Sequence, residues 1–201
     1  MLVLRAGETS GTEGLTRHSL FLRWQAIGCS VVNIGAQDLI EGRPYLVLGL
    51  VWQIIKIGLY AKVDLLHHPE LIRLLENDET LDTFLKLPTD QILLRWVNYH
   101  LREAGWERRV NNFSSDIKDS ENYIVLMNQL KPDLCNRSGL QVGDLHQRAE
   151  QVLLNAEKLE CRKYVTAGAI VKGNPKLNLA FVANLFNTHP GLAYGRFFFV
   201  F

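Results

Sequence analysis

From Gly28 onward the apolar positions of the chain recur at intervals of three and four residues rather than in alternation, which is the pattern of helices that pack one face on a core. The clearest block is Leu145, Ala149, Val152, Ala156 and Leu159, where spacings of 4, 3, 4 and 3 set five apolar side chains on one stripe. Asp144 stands where a helix cap belongs. In Asp90–Glu103 one row is Ile92, Trp96 and Tyr99 and the next is Leu93, Val97 and Leu101, with Pro88, Thr89 and Asp90 as a start signal and Gly105 as a stop. Further helical blocks are predicted over Pro44–Leu59, Pro69–Glu76, Thr80–Leu85, Ser120–Leu130, Asp144–Leu159 and Pro175–Asn187. The last of these has almost no polar face, which marks a helix enclosed by others. Residues 1–25 carry Gly7, Gly11 and Gly14 among Thr, Ser and Glu with neither period, and are expected to be irregular. No alternating run is long enough for a sheet, so the fold class is all-α.

One segment occurs twice. Gly42-Arg43-Pro44-Tyr45-Leu46-Val47-Leu48 aligns with Gly173-Asn174-Pro175-Lys176-Leu177-Asn178-Leu179 at a constant offset of 131 residues. The pairing continues through Leu50 with Phe181, Val51 with Val182, Ile54 with Leu185 and Ile55 with Phe186, and Cys29 pairs with Cys161 after a one-residue slip. In both copies Gly precedes a Pro at the helix start, where a missing N–H costs nothing. The second copy closes a domain that begins near Asp90, and the counterpart of Asp90 at the same offset falls before residue 1. The repeat therefore predicts one complete domain preceded by the final part of a homologous one.

Composition narrows the function. Lys and Arg number 22 against 21 Asp and Glu, a formal net charge of +1, so nothing in the overall charge drives nucleic-acid binding. Three cysteines, Cys29, Cys135 and Cys161, have no metal-ligand spacing and read as reduced thiols. Arg5, Glu8 and Glu13 interrupt any secretory signal, and Gln53 and Lys56 break the most apolar run, Tyr45 to Leu59; a cytoplasmic protein with no membrane partner is expected. His67-His68 is adjacent rather than spaced for one metal, and Gly168 to Asn174 lacks the ending of a phosphate loop. No catalytic residue, metal or cofactor is expected, since neither a nucleophile elbow nor a supported Cys-His pair is present.

Three stretches carry a family resemblance: Val31 to Leu39 together with Leu48 to Leu59, then Leu94 to Leu101, then Asn112 to Ser120. Gly173 to Asn187 fits the closing helix of the same domain type. With these, roughly residues 26–192 resemble the calponin-homology domains of the fimbrin/plastin family of actin-bundling proteins. The resemblance implies a helical bundle over 88–190, a linker with short helices over 61–87, and a remnant of a first calponin-homology domain over 26–60. Residues 1–25 and an apolar tail, 191–201, do not match. Family members carry a calcium-binding headpiece and two tandem actin-binding modules. This chain corresponds to the end of the first domain and all of the second domain of the first module.

The resemblance implies binding to filamentous actin and a cytoskeletal location. It places the surviving filament surface on the helices Leu46–Leu59 and Asp90–Glu103, with Leu48, Val51, Trp52, Ile55, Lys56, Asp90, Leu94, Arg95 and Arg102 as contacts. Trp52 stays open between core and filament, and lone charges such as Lys56, Arg95 and Arg102 have a solvated face as their alternative. Trp96, Phe113, Leu153, Phe181 and Leu185 are the expected structural core. Self-association through the exposed remnant helix is a further expectation. The alternative function is a protein–protein adaptor without actin affinity, as some single domains of this type are.

Overall fold

A computed structural model describes residues 26, 28, 29 and 41–192. The chain divides into two compact units, Met1–Gly58 and Leu59–Phe201. Among the described residues there is no strand.

In the first unit, helix α1 runs from Pro44 and ends at Tyr60, two residues past the boundary. Pro44 fills the first helical position, where its fixed φ suits the turn, and the Arg43 carbonyl accepts from the Leu46 and Val47 N–H groups. One side of α1 is buried. Leu50 packs with Cys29, and Leu46 and Ile57 close on that pair.

The second unit holds the rest: a 3₁₀ turn over Pro69–Leu74, α2 over Leu81–Leu85, α3 over Thr89–Glu103, α4 over Glu121–Leu130, α5 over Leu145–Lys158, α6 over Ala167–Lys172 and α7 over Pro175–Thr188. Side-chain oxygens cap four of them: Thr80 accepts from Thr83 N–H, Asp144 from Gln147, Thr166 from Ala169 and Asn174 from Leu177. Each cap satisfies a donor that the first turn leaves without an intrahelical partner. Helix α3 packs on α4 and α7, α4 on α5, and α6 on both α5 and α7.

The centre is aromatic. Trp96 on α3 is fully buried and meets Phe186 of α7 edge to face at 5.5 Å, and Tyr123 of α4 meets Phe181 of α7 in the same way at 5.3 Å. Phe113, Leu153 and Leu185 are buried as well. The polar atoms of Trp96, Tyr123 and Asn178 in this core have partners, whereas the buried Ser120 hydroxyl has none among the described residues. The Trp96 Nε1–H donates to the Pro190 carbonyl at 2.7 Å, and Tyr123 Oη donates to Asn178 Oδ1 at 3.0 Å. Asn178 Nδ2 in turn donates to the Asn174 and Ala169 carbonyls at 2.8 and 3.3 Å. Burial raises the Tyr123 hydroxyl pKa, so it stays a donor.

Three sequence expectations are refined. Residues 61–87, expected as a linker with short helices, carry the 3₁₀ turn and α2, and Val63, Leu71, Leu74 and Phe84 from this stretch, with Leu59 before it, are buried in the second unit, which starts at Leu59. The block expected over Pro69–Glu76 is a 3₁₀ turn ending at Leu74, tight enough to bring Leu71 and Leu74 onto one side. The stretch from Gly168 to Asn174 contains most of α6, a helix not anticipated. It ends at Gly173, whose φ of +67° suits glycine and where a Cβ would come within 2.6 Å of the Ser114 carbonyl oxygen. The expected irregular segment 1–25 and the tail from 193 lie outside the described residues, and Leu192 is buried in the second unit.

Candidate functional site

The residues assigned to a filament surface fall on two helices. On α1, Tyr45, Leu48, Val51 and Ile54 recur every third residue, and Leu48, Val51 and Ile54 are 65%, 45% and 40% exposed. Opposite them lie Leu46, Leu50 and Ile57 of the small cluster. Trp52, Ile55 and Lys56 are half-buried.

On α3 the residues separate by environment. Ile92, Leu93, Trp96, Val97, His100 and Leu101 form the inner face, Asp90 and Leu94 are half-buried, and the Arg102 side chain is 72% exposed. Asp90 sits in the first turn, where a carboxylate meets the positive end of the helix dipole. Arg95 is engaged within the domain. Its guanidinium bonds both carboxylate oxygens of Glu79, lies 3.9 Å from Glu76 and rests over the Phe84 ring at 5.7 Å. That side chain is 20% exposed. The Arg95 bond holds the Glu79 carboxyl below its usual pKa range. Arg95 therefore ties the 76–84 stretch to α3, a role that sequence reasoning did not assign to it.

Arg95 and Arg102 also share a groove of about 660 Å³ whose walls are residues 73–77, the outer side of α3 and residues 106–109. Tyr99 lies in it with the guanidinium groups of Arg73 and Arg102 over its ring, at 5.9 and 5.5 Å. Trp106 lines the next wall and donates its indole N–H away to Asn122 Oδ1. Arg108 is paired with Asp119 and Glu121 at 2.7 and 2.6 Å; burial works against its charge, but the two carboxylates outweigh it and raise its pKa. Arg73, Trp106 and Arg109 were not picked out in the sequence, and Tyr99 only as a member of the apolar row with Ile92 and Trp96. The only local signal was the pair Arg108-Arg109 after Gly105.

Among the described residues no group of three or more His, Cys, Asp or Glu side chains could hold a metal ion, and no helix is long and apolar enough to cross a membrane. Cys135 and Cys161 are buried with free thiols, and burial pushes Cys161 up to about 12, far from thiolate reactivity at neutral pH.

The calponin homology (CH) domain family matches residues 87–191, from the start of α3 to the segment after α7. The chain belongs to the calponin homology domain family. Its CH domain is similar to those of fimbrins and plastins. It is 66% identical over 168 residues to fimbrin of Saccharomyces cerevisiae, covering 84% of this chain and 26% of that protein. It is 53% identical over 177 residues to human plastin-3, covering 83% and 28%. The crystal structure of the actin-crosslinking core of Schizosaccharomyces pombe fimbrin superposes with a TM-score of 0.78 at 52% identity, over 96% of this chain and 38% of that one. The chain thus spans about a quarter of the length of the curated relatives it matches.

Proposed function

We propose that this chain is a non-catalytic, cytoplasmic actin-filament-binding protein of the cytoskeleton, acting through α1 and the outer side of α3. The observation that carries this reading is the match to the fimbrin actin-crosslinking core, which holds at 52% identity over nearly the whole chain. On α1 the contacts are Leu48, Val51, Trp52, Ile55 and Lys56. On α3 they are Asp90, Leu94 and Arg102, with Arg95 acting mainly by fixing the 76–84 stretch beside them. The domains are taken as the remnant 26–58 and a CH domain extended back to Leu59. Nucleic acid and membrane are not partners in this reading.

Cross-linking requires two filament-binding surfaces in one particle, and a monomer of these 201 residues presents the α1 and α3 set once. It is therefore proposed to bind filaments without bundling them, unless the apolar stripe on α1 pairs two copies. High-speed co-sedimentation with filamentous actin tests binding and low-speed sedimentation tests bundling, with light scattering reporting the oligomeric state. Absence from the high-speed pellet at any salt concentration sinks the reading. Bundles formed by a monomeric protein sink the single-surface argument.

A further inference from the structure

The groove beside α3 contains cations that the domain does not use. Arg95 is committed to Glu79, and Arg108 to Asp119 and Glu121. Arg109 is exposed and makes no hydrogen bond or ion pair among the described residues. Arg102 comes no nearer than 4.0 Å to its neighbour Glu103 and lies over Tyr99. A guanidinium held over a ring still has its planar fork of N–H donors free to meet a carboxylate.

Resting on the filament reading above, we propose that this groove, rather than the face of α3 alone, receives a short acidic segment of an actin subunit, with Arg102 and Arg109 pairing its carboxylates beside Tyr99. The groove's own chemistry selects that occupant. Glu76 and Glu107 line it as well, so a compact polyphosphate would meet two like charges at close range, whereas a peptide can place its carboxylates against the arginines and its apolar atoms on Tyr99 and Trp106. A volume of about 660 Å³ accommodates a few side chains. Arg109 belongs to the loop after α3 and Arg73 to the 3₁₀ turn before α2, so the footprint extends beyond the helix that the resemblance names.

The test is co-sedimentation of the full chain with filamentous actin at low and at moderate salt, comparing wild type, Arg109→Glu, Arg109→Lys and Arg102→Glu/Arg109→Glu. Arg109→Glu is expected to weaken binding about tenfold, with a shallower salt dependence, and Arg109→Lys to retain most of the affinity. Circular dichroism and thermal unfolding of Arg109→Glu should match wild type, because the side chain has no partner to lose. If wild type does not pellet, the filament reading fails and takes this proposal with it. If wild type pellets and both Glu variants pellet equally well, the filament reading stands and the groove is overturned. Tripolyphosphate displacing the chain from filaments more effectively than an Asp/Glu-rich hexapeptide at equal charge would also overturn it.

Discussion

Phe84 decides whether residues 59–87 belong to the CH domain. It is buried, it comes from α2, and the Arg95 guanidinium of α3 rests over its ring. Phe84→Ala removes a ring from a packed site and leaves a cavity, which costs about 3–5 kcal/mol, and the lost cation–π contact places the effect in the upper part of that range. For a domain of this size about 3 °C of midpoint is lost per kcal/mol, so the midpoint should fall by roughly 10–15 °C. Thermal and urea unfolding followed by circular dichroism measure it, with the urea slope unchanged if the folded state keeps its extent. Leu85→Ala is the control, since Leu85 is the next residue on the same helix and is 57% exposed; it should cost under about 0.5 kcal/mol. If Phe84→Ala costs less than about 1 kcal/mol, or no more than Leu85→Ala, then residues 59–87 are a tether and the domain starts at α3.

Trp96→Ala should cost about 3–5 kcal/mol in the same assay, and the Pro190 carbonyl stays satisfied by His100 at 3.0 Å, so no unpaired-acceptor penalty is added. Gly173→Ala forces a side chain into φ +67° against the Ser114 carbonyl, and should cost more than about 1 kcal/mol by urea unfolding. Burial keeps the His100 pKa below its ordinary 6.5, against the opposing pull of the Pro190 carbonyl and Glu103. The unfolded chain therefore takes up a proton first, and stability should fall as pH drops from 6.5, a slope that His100→Asn flattens. A second loss should begin near pH 4.5, where the unfolded Glu79 protonates while Arg95 still holds the folded carboxylate charged, and Asp116, held low mainly by the Asn111 N–H, adds to it below 3.8. Val182→Asp should leave little folded protein at 25 °C by circular dichroism, while the repeat-related Val51→Asp should shift the midpoint by less than about 2 °C.

The long helices were legible because their apolar rows repeat at 3.6 residues and because Pro, Gly, Asp and Asn mark their ends. Helix α5 begins immediately after the cap that the sequence offered, Asp144. Helix α6 escaped notice because six residues complete too few turns to show a period; its only marks were Thr166 as cap and Gly173 as stop. Residues 61–87 escaped because Val63, Leu71, Leu74 and Phe84 are spaced irregularly, and their common burial is a property of the tertiary fold. The candidate site was half legible. The exposure of Arg102 follows from its position on an amphipathic helix, but the partner that occupies Arg95 lies sixteen residues earlier, in the stretch just before α2. No local pattern reports such a pair. The groove likewise draws on three separate stretches.

The repeated segment separates what a sequence encodes from what its surroundings decide. Helices α1 and α7 start with the same Gly-x-Pro signal and carry matching apolar residues, so both form helices and both present the same stripe. Their burial differs. Val182 and Leu185 are fully buried against the aromatic centre of the second unit, while Val51 and Ile54, at the equivalent positions, are 45% and 40% exposed. Helix propensity and periodicity are local and were duplicated with the segment; burial depends on what packs alongside, which for α7 includes α3 and its Trp96. An apolar stripe therefore says that a helix has a side made for packing, and only the neighbouring elements say whether that side is core or contact surface. In α7 it is core. In α1 Leu48, Val51 and Ile54, 65%, 45% and 40% exposed, forgo about half of the roughly 1.5–3 kcal/mol that full burial of each would contribute, a driving force for association that a partner's surface can recover, and that is why α1 carries half of the proposed filament contact.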